Sequence, residues 1–321
     1  MKIKCILCGL VLLQIFIAVG CHKTVPSYPS GGFQNLGTSE ESNDPLNRRS
    51  GGEYCETSDI KLESNQGLVL TDKKTGETFW IEKDENCLFR NIFLDGENLW
   101  YLREDRSGKI DNYRLVHLDL QSGKYETVVS DLGDVYYDTE HQRLFYKGDY
   151  DAIGYCENAV FDPPKRLRER RGGLFTCSLD GKNEQRLFPS EAENLGIADF
   201  MVMGNRIVFR SEETLYVGVL GEGHALKITD RCQAFLAEED GVCFYDYEDQ
   251  VQFYNFSDRT TTVLASAELP LFRTAVLLPA GLAEKLPEKC GYALFSDEKR
   301  TLYLPSSDEI YFFLEKVYCR N

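Results

Sequence analysis

Beyond residue 54 the chain is a succession of short apolar and aromatic runs separated by Gly, Asp, Asn and Ser. Apolar positions recur in blocks or alternate, and helical spacing is almost absent; a single helical turn fits only Ala280 to Lys289. Strands at regular spacing with turn signals between them predict an all-β sandwich, barrel or propeller. A degenerate repeat chooses among these. Its clearest copy opens Asp95-Gly96-Glu97-Asn98-Leu99-Trp100-Tyr101-Leu102, continues with Tyr113 to Leu120, turns at Ser122-Gly123-Lys124 and ends with Tyr125 to Val129. A second copy has Arg143 to Tyr146, Gly173 to Leu179, Asp180-Gly181-Lys182 and Gln185 to Phe188. A third has Arg206 to Phe209, Thr214 to Val217, Gly221-Glu222-Gly223 and Ala225 to Ile228. A fourth has Gly241 to Tyr245, Val251 to Tyr254, Ser257-Asp258-Arg259 and Thr261 to Leu264.

The anchors Trp100, Phe145, Val208 and Cys243 are 45, 63 and 35 residues apart, and the longest interval holds an insertion. A period of roughly 40 residues with about four strands per unit is the sequence mark of a β-propeller blade. One such sheet cannot cover both its faces, whereas stacking sheets around an axis covers them. Gly67 to Ile81 reads as the outer half of an earlier blade; Tyr292 to Phe295, Thr301 to Leu304 and Ile310 to Leu314 read as most of a later one. The expectation is a single β-propeller of about six four-stranded blades, with five to seven possible, over residues 55–321; an irregular β-sandwich is the competing reading. In blade pattern the chain resembles the propellers of TolB-like and WD-repeat-like bacterial exported proteins. No copy carries the Gly-His and Trp-Asp marks of true WD repeats, so the resemblance transfers no functional residue.

The first residues have a different pattern. Met-Lys-Ile-Lys leads into an apolar run of about 15 residues, short for a bilayer span. Ala18-Val19-Gly20-Cys21 follows. A basic start, a short apolar core and small residues at a junction form a secretory signal. With cysteine directly after the junction, the segment resembles a bacterial lipoprotein signal, although Ala18 stands where that family most often has Leu. The resemblance implies cleavage of residues 1–20, lipidation of Cys21 and attachment to a membrane on its outer side by two or three acyl chains. Ordinary secretion and an uncleaved anchor are the alternatives. Residues 21–54 are rich in Ser, Gly, Pro, Asn and charge, and are expected to form a flexible tether.

Composition narrows the function classes. The formal net charge is −16, and removal of Lys2 and Lys4 with the signal leaves −18. Such an acidic chain is unsuited to non-specific nucleic-acid binding and is repelled by anionic lipid, so the lipid would do the anchoring. Eight cysteines follow Cys21, without a C-x-x-C spacing. Export permits disulfides, of which Cys156–Cys177 and Cys232–Cys243 would be local staples; buried thiols in strands are the other reading.

No Gly-x-Ser-x-Gly elbow, Gly-rich phosphate loop, His-Glu-x-x-His or complete calcium loop occurs. His22, His117, His141 and His224 lack ligand spacing. Asp149-Tyr150-Asp151 and Asp246-Tyr247-Glu248-Asp249 follow aromatic strands, and read either as oxygen ligands for a cation or as solvated turns. No metal or cofactor is expected. The insertion at 152–172 concentrates Lys165, Arg166, Arg168, Arg170 and Arg171, a candidate contact for an anionic partner such as wall polymer or an envelope protein. The apolar stretch 266–289 reads as a core strand and its connection. Together these features point to an envelope lipoprotein with a non-catalytic binding role. The rivals are a glycosidase or lyase using loop carboxylates, and an accessory subunit of an envelope complex.

Overall fold

The computed structural model describes residues 54–64, 67–106, 112–148, 173–189, 197–248, 250–266, 276–278, 291–294 and 301–304. The expected tether, Cys21, the basic insertion and the turn at Ala280 to Lys289 lie outside them. Every element among the described residues is a strand. The first twenty strands form five four-stranded antiparallel sheets, each a simple meander. Sheet 1 is β1 (Tyr54–Glu56), β2 (Ile60–Ser64), β3 (Leu68–Asp72) and β4 (Thr78–Glu82). Sheet 2 is β5 (Cys87–Asp95), β6 (Asn98–Asp105), β7 (Asn112–Asp119) and β8 (Tyr125–Ser130). Sheet 3 is β9 (Leu132–Asp138), β10 (Arg143–Gly148), β11 (Leu174–Ser178) and β12 (Gln185–Leu187). Sheet 4 is β13 (Ile197–Met203), β14 (Arg206–Ser211), β15 (Thr214–Val219) and β16 (Ala225–Thr229). Sheet 5 is β17 (Cys232–Ala237), β18 (Gly241–Asp246), β19 (Gln250–Asn255) and β20 (Thr261–Ser266). The strands β21 (Val276–Leu278), β22 (Gly291–Leu294) and β23 (Thr301–Leu304) form a three-stranded sheet in the order β21-β23-β22, which breaks the meander rule of the other five.

The second strand of each sheet shows why the sheets stack. Leu99 and Tyr101 of β6 enter a core shared with sheet 1, while Trp100 and Leu102 between them enter a core shared with sheet 3. Leu144 and Tyr146 face sheet 2, and Phe145 faces sheet 4. Ile207 and Phe209 face sheet 3, and Val208 faces sheet 5. Side chains alternate between faces, so a strand apolar at every position must be covered on both sides. Four buried clusters result, one between each consecutive pair from sheet 1 to sheet 5. This is the propeller-like arrangement that the repeat predicts.

The turns repeat as closely as the cores. In each four-stranded sheet the backbone N–H after the third strand donates to the carbonyl just before the second: Lys73 to Asp59, Leu120 to Glu97, Leu179 to Gln142, Leu220 to Asn205 and Phe256 to Asp240. Three third strands end in an Asx cap. Asp72 Oδ1 accepts from the N–H of Lys74 and Thr75, Asp119 Oδ1 from Gln121 and Ser122, and Asn255 Oδ1 from Ser257 and Asp258. These are the polar turn signals of the sequence, with the side chain replacing a backbone turn.

Two sequence expectations change. Each repeat copy is a strand short, because β5, β9, β13 and β17 precede the turn at which the copy begins. Cys232 and Cys243 do not form a staple. Cys232 lies opposite Asp246 and Cys243 opposite Leu236, both are buried thiols, and Cys232 Sγ donates to the Ala234 carbonyl at 3.4 Å. Cys177 is likewise a buried thiol, and Cys156 lies outside the described residues. Val276–Leu278 is a strand, as expected for the stretch at 266–289.

Candidate functional site

Connectivity gives the array two unlike edges. Turns from first to second strand and from third to fourth are two to six residues long and share one edge, called here the tight-turn edge. Connections from second to third strand, and from one sheet to the next, leave the opposite edge. The links spanning 83–86, 106–111, 149–173 and 188–196 all belong to this second edge, called here the loop edge. Gly148 N–H donates to Gly173 O at 2.8 Å, so the ends of β10 and β11 that flank the basic insertion in sequence stay together. Cys232 N–H donates to Glu213 O at 2.7 Å, tying sheet 5 to sheet 4 along the same edge.

The first strands of sheets 2 to 5 lose register against their second strands, near the loop edge in sheets 3 to 5 and at mid-strand in sheet 2. The shifts fall between Arg90 and Phe93, between Leu132 and Val135, between Ile197 and Asp199, and between Cys232 and Ala234. Bulges of this kind re-aim side chains and are frequent beside functional sites. At this level sheets 3 and 4 carry equivalent ion pairs, Lys147–Asp134 at 3.0 Å and Arg210–Asp199 at 2.9 Å. Lys147 Nζ also donates to Ala198 O of the next sheet at 3.0 Å. Sheet 2 has a deeper version. Glu104, 1% exposed, takes Arg90 Nη2 at 3.0 Å and Arg106 Nε at 2.5 Å. Two guanidiniums thus offset the desolvation of one carboxylate; such a pair is strongly coupled to its surroundings rather than a large net source of stability.

On the other face of β6, Arg103 gathers three carboxylates. Nε meets Glu82 at 2.6 Å, Nη2 meets Asp84 at 2.8 Å and Nη1 meets Asp105 at 3.5 Å. Tyr101 hydroxyl donates to Glu82 Oε2 at 3.0 Å. The cluster joins the outermost strand of sheet 1 to sheet 2. Cys87 stands beside it, and burial followed by its hydrogen bond with Asp84 pushes the thiol up to about 12, away from nucleophilic chemistry.

The loop carboxylates of the sequence resolve into turn chemistry where they are described. Asp246 is buried; its Oδ1 accepts from the N–H of Glu248 at 2.8 Å and Gln250 at 3.0 Å, and Oδ2 accepts from Gln252. Glu248 pairs with Arg231. Asp149, Asp151 and Asp249 lie outside the described residues, as do Cys21, Lys165, Arg166, Arg168, Arg170 and Arg171. Among the described residues no three His, Cys, Asp or Glu side chains converge as a metal site. His117 stacks on Trp100 at 4.8 Å and bonds Asn98 Oδ1 through Nε2 at 2.9 Å, and burial holds its pKa below the usual value. His141 bonds Asp138 through Nδ1 at 2.9 Å at the tight-turn edge. The bulge-level pairs were missing from the sequence reading, although Leu132-Gly133-Asp134-Val135 and Ile197-Ala198-Asp199-Phe200 share an apolar-small-Asp-apolar pattern that marks them.

The arrangement defines an all-β, propeller-like protein with a polar, ion-paired loop edge. No family model matches the chain, and no curated protein matches it. Among solved structures it is similar to an oligogalacturonate lyase from Vibrio parahaemolyticus, with 11% identity over 78% of this chain and 75% of that one and a TM-score of 0.46. It is similar to an oligogalacturonate lyase in complex with manganese at 12% identity, over 78% of this chain and 75% of that one, with a TM-score of 0.45. It is also similar to TolB from Acinetobacter baumannii at 12% identity, over 87% of this chain and 65% of that one, with a TM-score of 0.39. Likenesses of this degree carry no weight for activity, and the assignment of fold rests on the sheets themselves.

Proposed function

We propose that the chain is an extracytoplasmic lipoprotein, anchored through Cys21, whose sheets close into a six-bladed propeller and act as a non-catalytic binding module. Its binding face is the loop edge, and its partner is an anionic component of the cell envelope, a wall polymer or an acidic protein. The observation that carries this reading is the division of the array into a tight-turn edge and a loop edge, because the segment with Lys165, Arg166, Arg168, Arg170 and Arg171 joins β10 to β11 at the latter. Long connections on a rigid scaffold are where binding residues concentrate. Asp84, Asp134, Asp199 and Asp246 there are held by arginine, lysine or backbone N–H groups, which suits recognition more than proton transfer.

The test incubates the mature protein with an anionic wall polymer and follows both retention and polymer length. Retention that weakens with salt, with the polymer intact, is expected. Shortening of the polymer would replace the binding reading with an enzymatic one. Anchoring is tested separately by labelling with a fatty-acid analogue in wild type and Cys21→Ser; label in the wild type only is expected, and equal labelling removes the anchor.

A further inference from the structure

Asn91 lies in the bulge of β5, where Asn91 and Ile92 together face the single residue Tyr101. Its φ is 48°, in the left-handed region that asparagine tolerates better than most residues. Backbone conformation therefore accounts for the choice of asparagine over an apolar side chain. It does not account for the amide, which is 1% exposed with neither Oδ1 nor Nδ2 bonded to a protein group. The residue cannot slide to find a partner, because its carbonyl accepts the Tyr137 hydroxyl of β9 at 2.8 Å. Tyr137 is itself fully buried and stacks on Phe93 at 4.5 Å, and β1 packs against β5. First strands of sheets 1, 2 and 3 thus meet around this point.

An amide left unpaired in an apolar interior costs free energy comparable to several lost hydrogen bonds, and buried polar groups without protein partners are ordinarily satisfied by internal water. We propose that the Asn91 amide binds one buried water molecule, which accepts from Nδ2 and donates to Oδ1 and belongs to the junction of β1, β5 and β9. The ligand is water rather than a cation, since the amide is neutral and, among the described residues, no cluster of His, Cys, Asp or Glu stands there to hold one.

Two measurements on the intact chain decide it. In the folded, isotope-labelled protein, the Asn91 side-chain amide protons should show cross-relaxation to a water of long residence. Asn91→Gly keeps the left-handed backbone and deletes the amide. Glycine relieves φ there, so a higher melting temperature would mark an amide that is merely frustrated, whereas a fall of about 2–4 °C is expected from loss of the hydrated amide together with the cavity it leaves. Absence of the water cross-peak overturns the proposal, and so does a stabilised Asn91→Gly variant.

Discussion

Single residues hold strands together through a few buried polar contacts whose removal has a definite sign. Glu104 is the clearest. Glu104→Ala leaves the partly exposed Arg90 and Arg106 without their shared carboxylate, and the expected loss is about 1–3 kcal/mol, read as a lower urea midpoint. A double replacement of Arg90 and Glu104 by Met and Leu should recover most of that loss, because the pair itself is worth little against apolar packing. His117 gives a pH effect. Burial lowers its folded pKa, so the unfolded chain takes up a proton first as pH falls through about 6.5. The contribution is present above that pH and is lost below it. His117→Phe, which keeps a ring against Trp100, should flatten the decline in melting temperature between pH 7 and 5; an unchanged pH profile would show that other groups set it.

At the scale of elements, the turns separate backbone strain from crowding. Gly181 (φ 78°) and Gly221 (φ 88°) occupy corresponding turns of sheets 3 and 4. A Cβ on Gly221 meets no atom within 4 Å, whereas one on Gly181 falls 2.3 Å from the Val128 carbonyl oxygen of sheet 2. Gly221→Ala should cost about 1–2 kcal/mol from φ alone. Gly181→Ala should cost clearly more, because β8 must move as well. Equal losses in thermal denaturation would mean that sheets 2 and 3 do not pack as described.

The same scale shows what the sequence makes legible. Second, third and fourth strands stand out, because their apolar runs end at Gly and Asx turns whose chemistry is local. The first strands are hidden by their bulges, which break period-two alternation and bring Arg90, Asp134 and Asp199 into what reads as loop. The bulge-level ion pairs were illegible for a related reason. Lys147 and Asp134 are 13 residues apart, Arg210 and Asp199 are 11 apart, and only strand register brings them together. Asp246, by contrast, caps its own turn as a solvated-turn reading expects, except that the structure buries it.

For the whole molecule, the unequal edges are the basis of the functional proposal, and the most direct measurement compares them. Charge reversal at Arg166 and Arg170 alters the loop edge, and charge reversal at Lys74 and Lys124 alters exposed positions on the tight-turn edge. The changes at Lys74 and Lys124 should not disturb folding by more than about 1 kcal/mol, since exposed pairs contribute little, and the melting temperature of both variants is measured alongside. Retention on an anionic wall polymer is then measured for both variants and for wild type, at low and moderate salt. Loss of salt-sensitive retention in the Arg166→Glu, Arg170→Glu variant, with wild-type retention in the Lys74→Glu, Lys124→Glu variant, is the predicted result. Equal retention in all three, or loss confined to the tight-turn variant, would contradict the loop edge as the binding face.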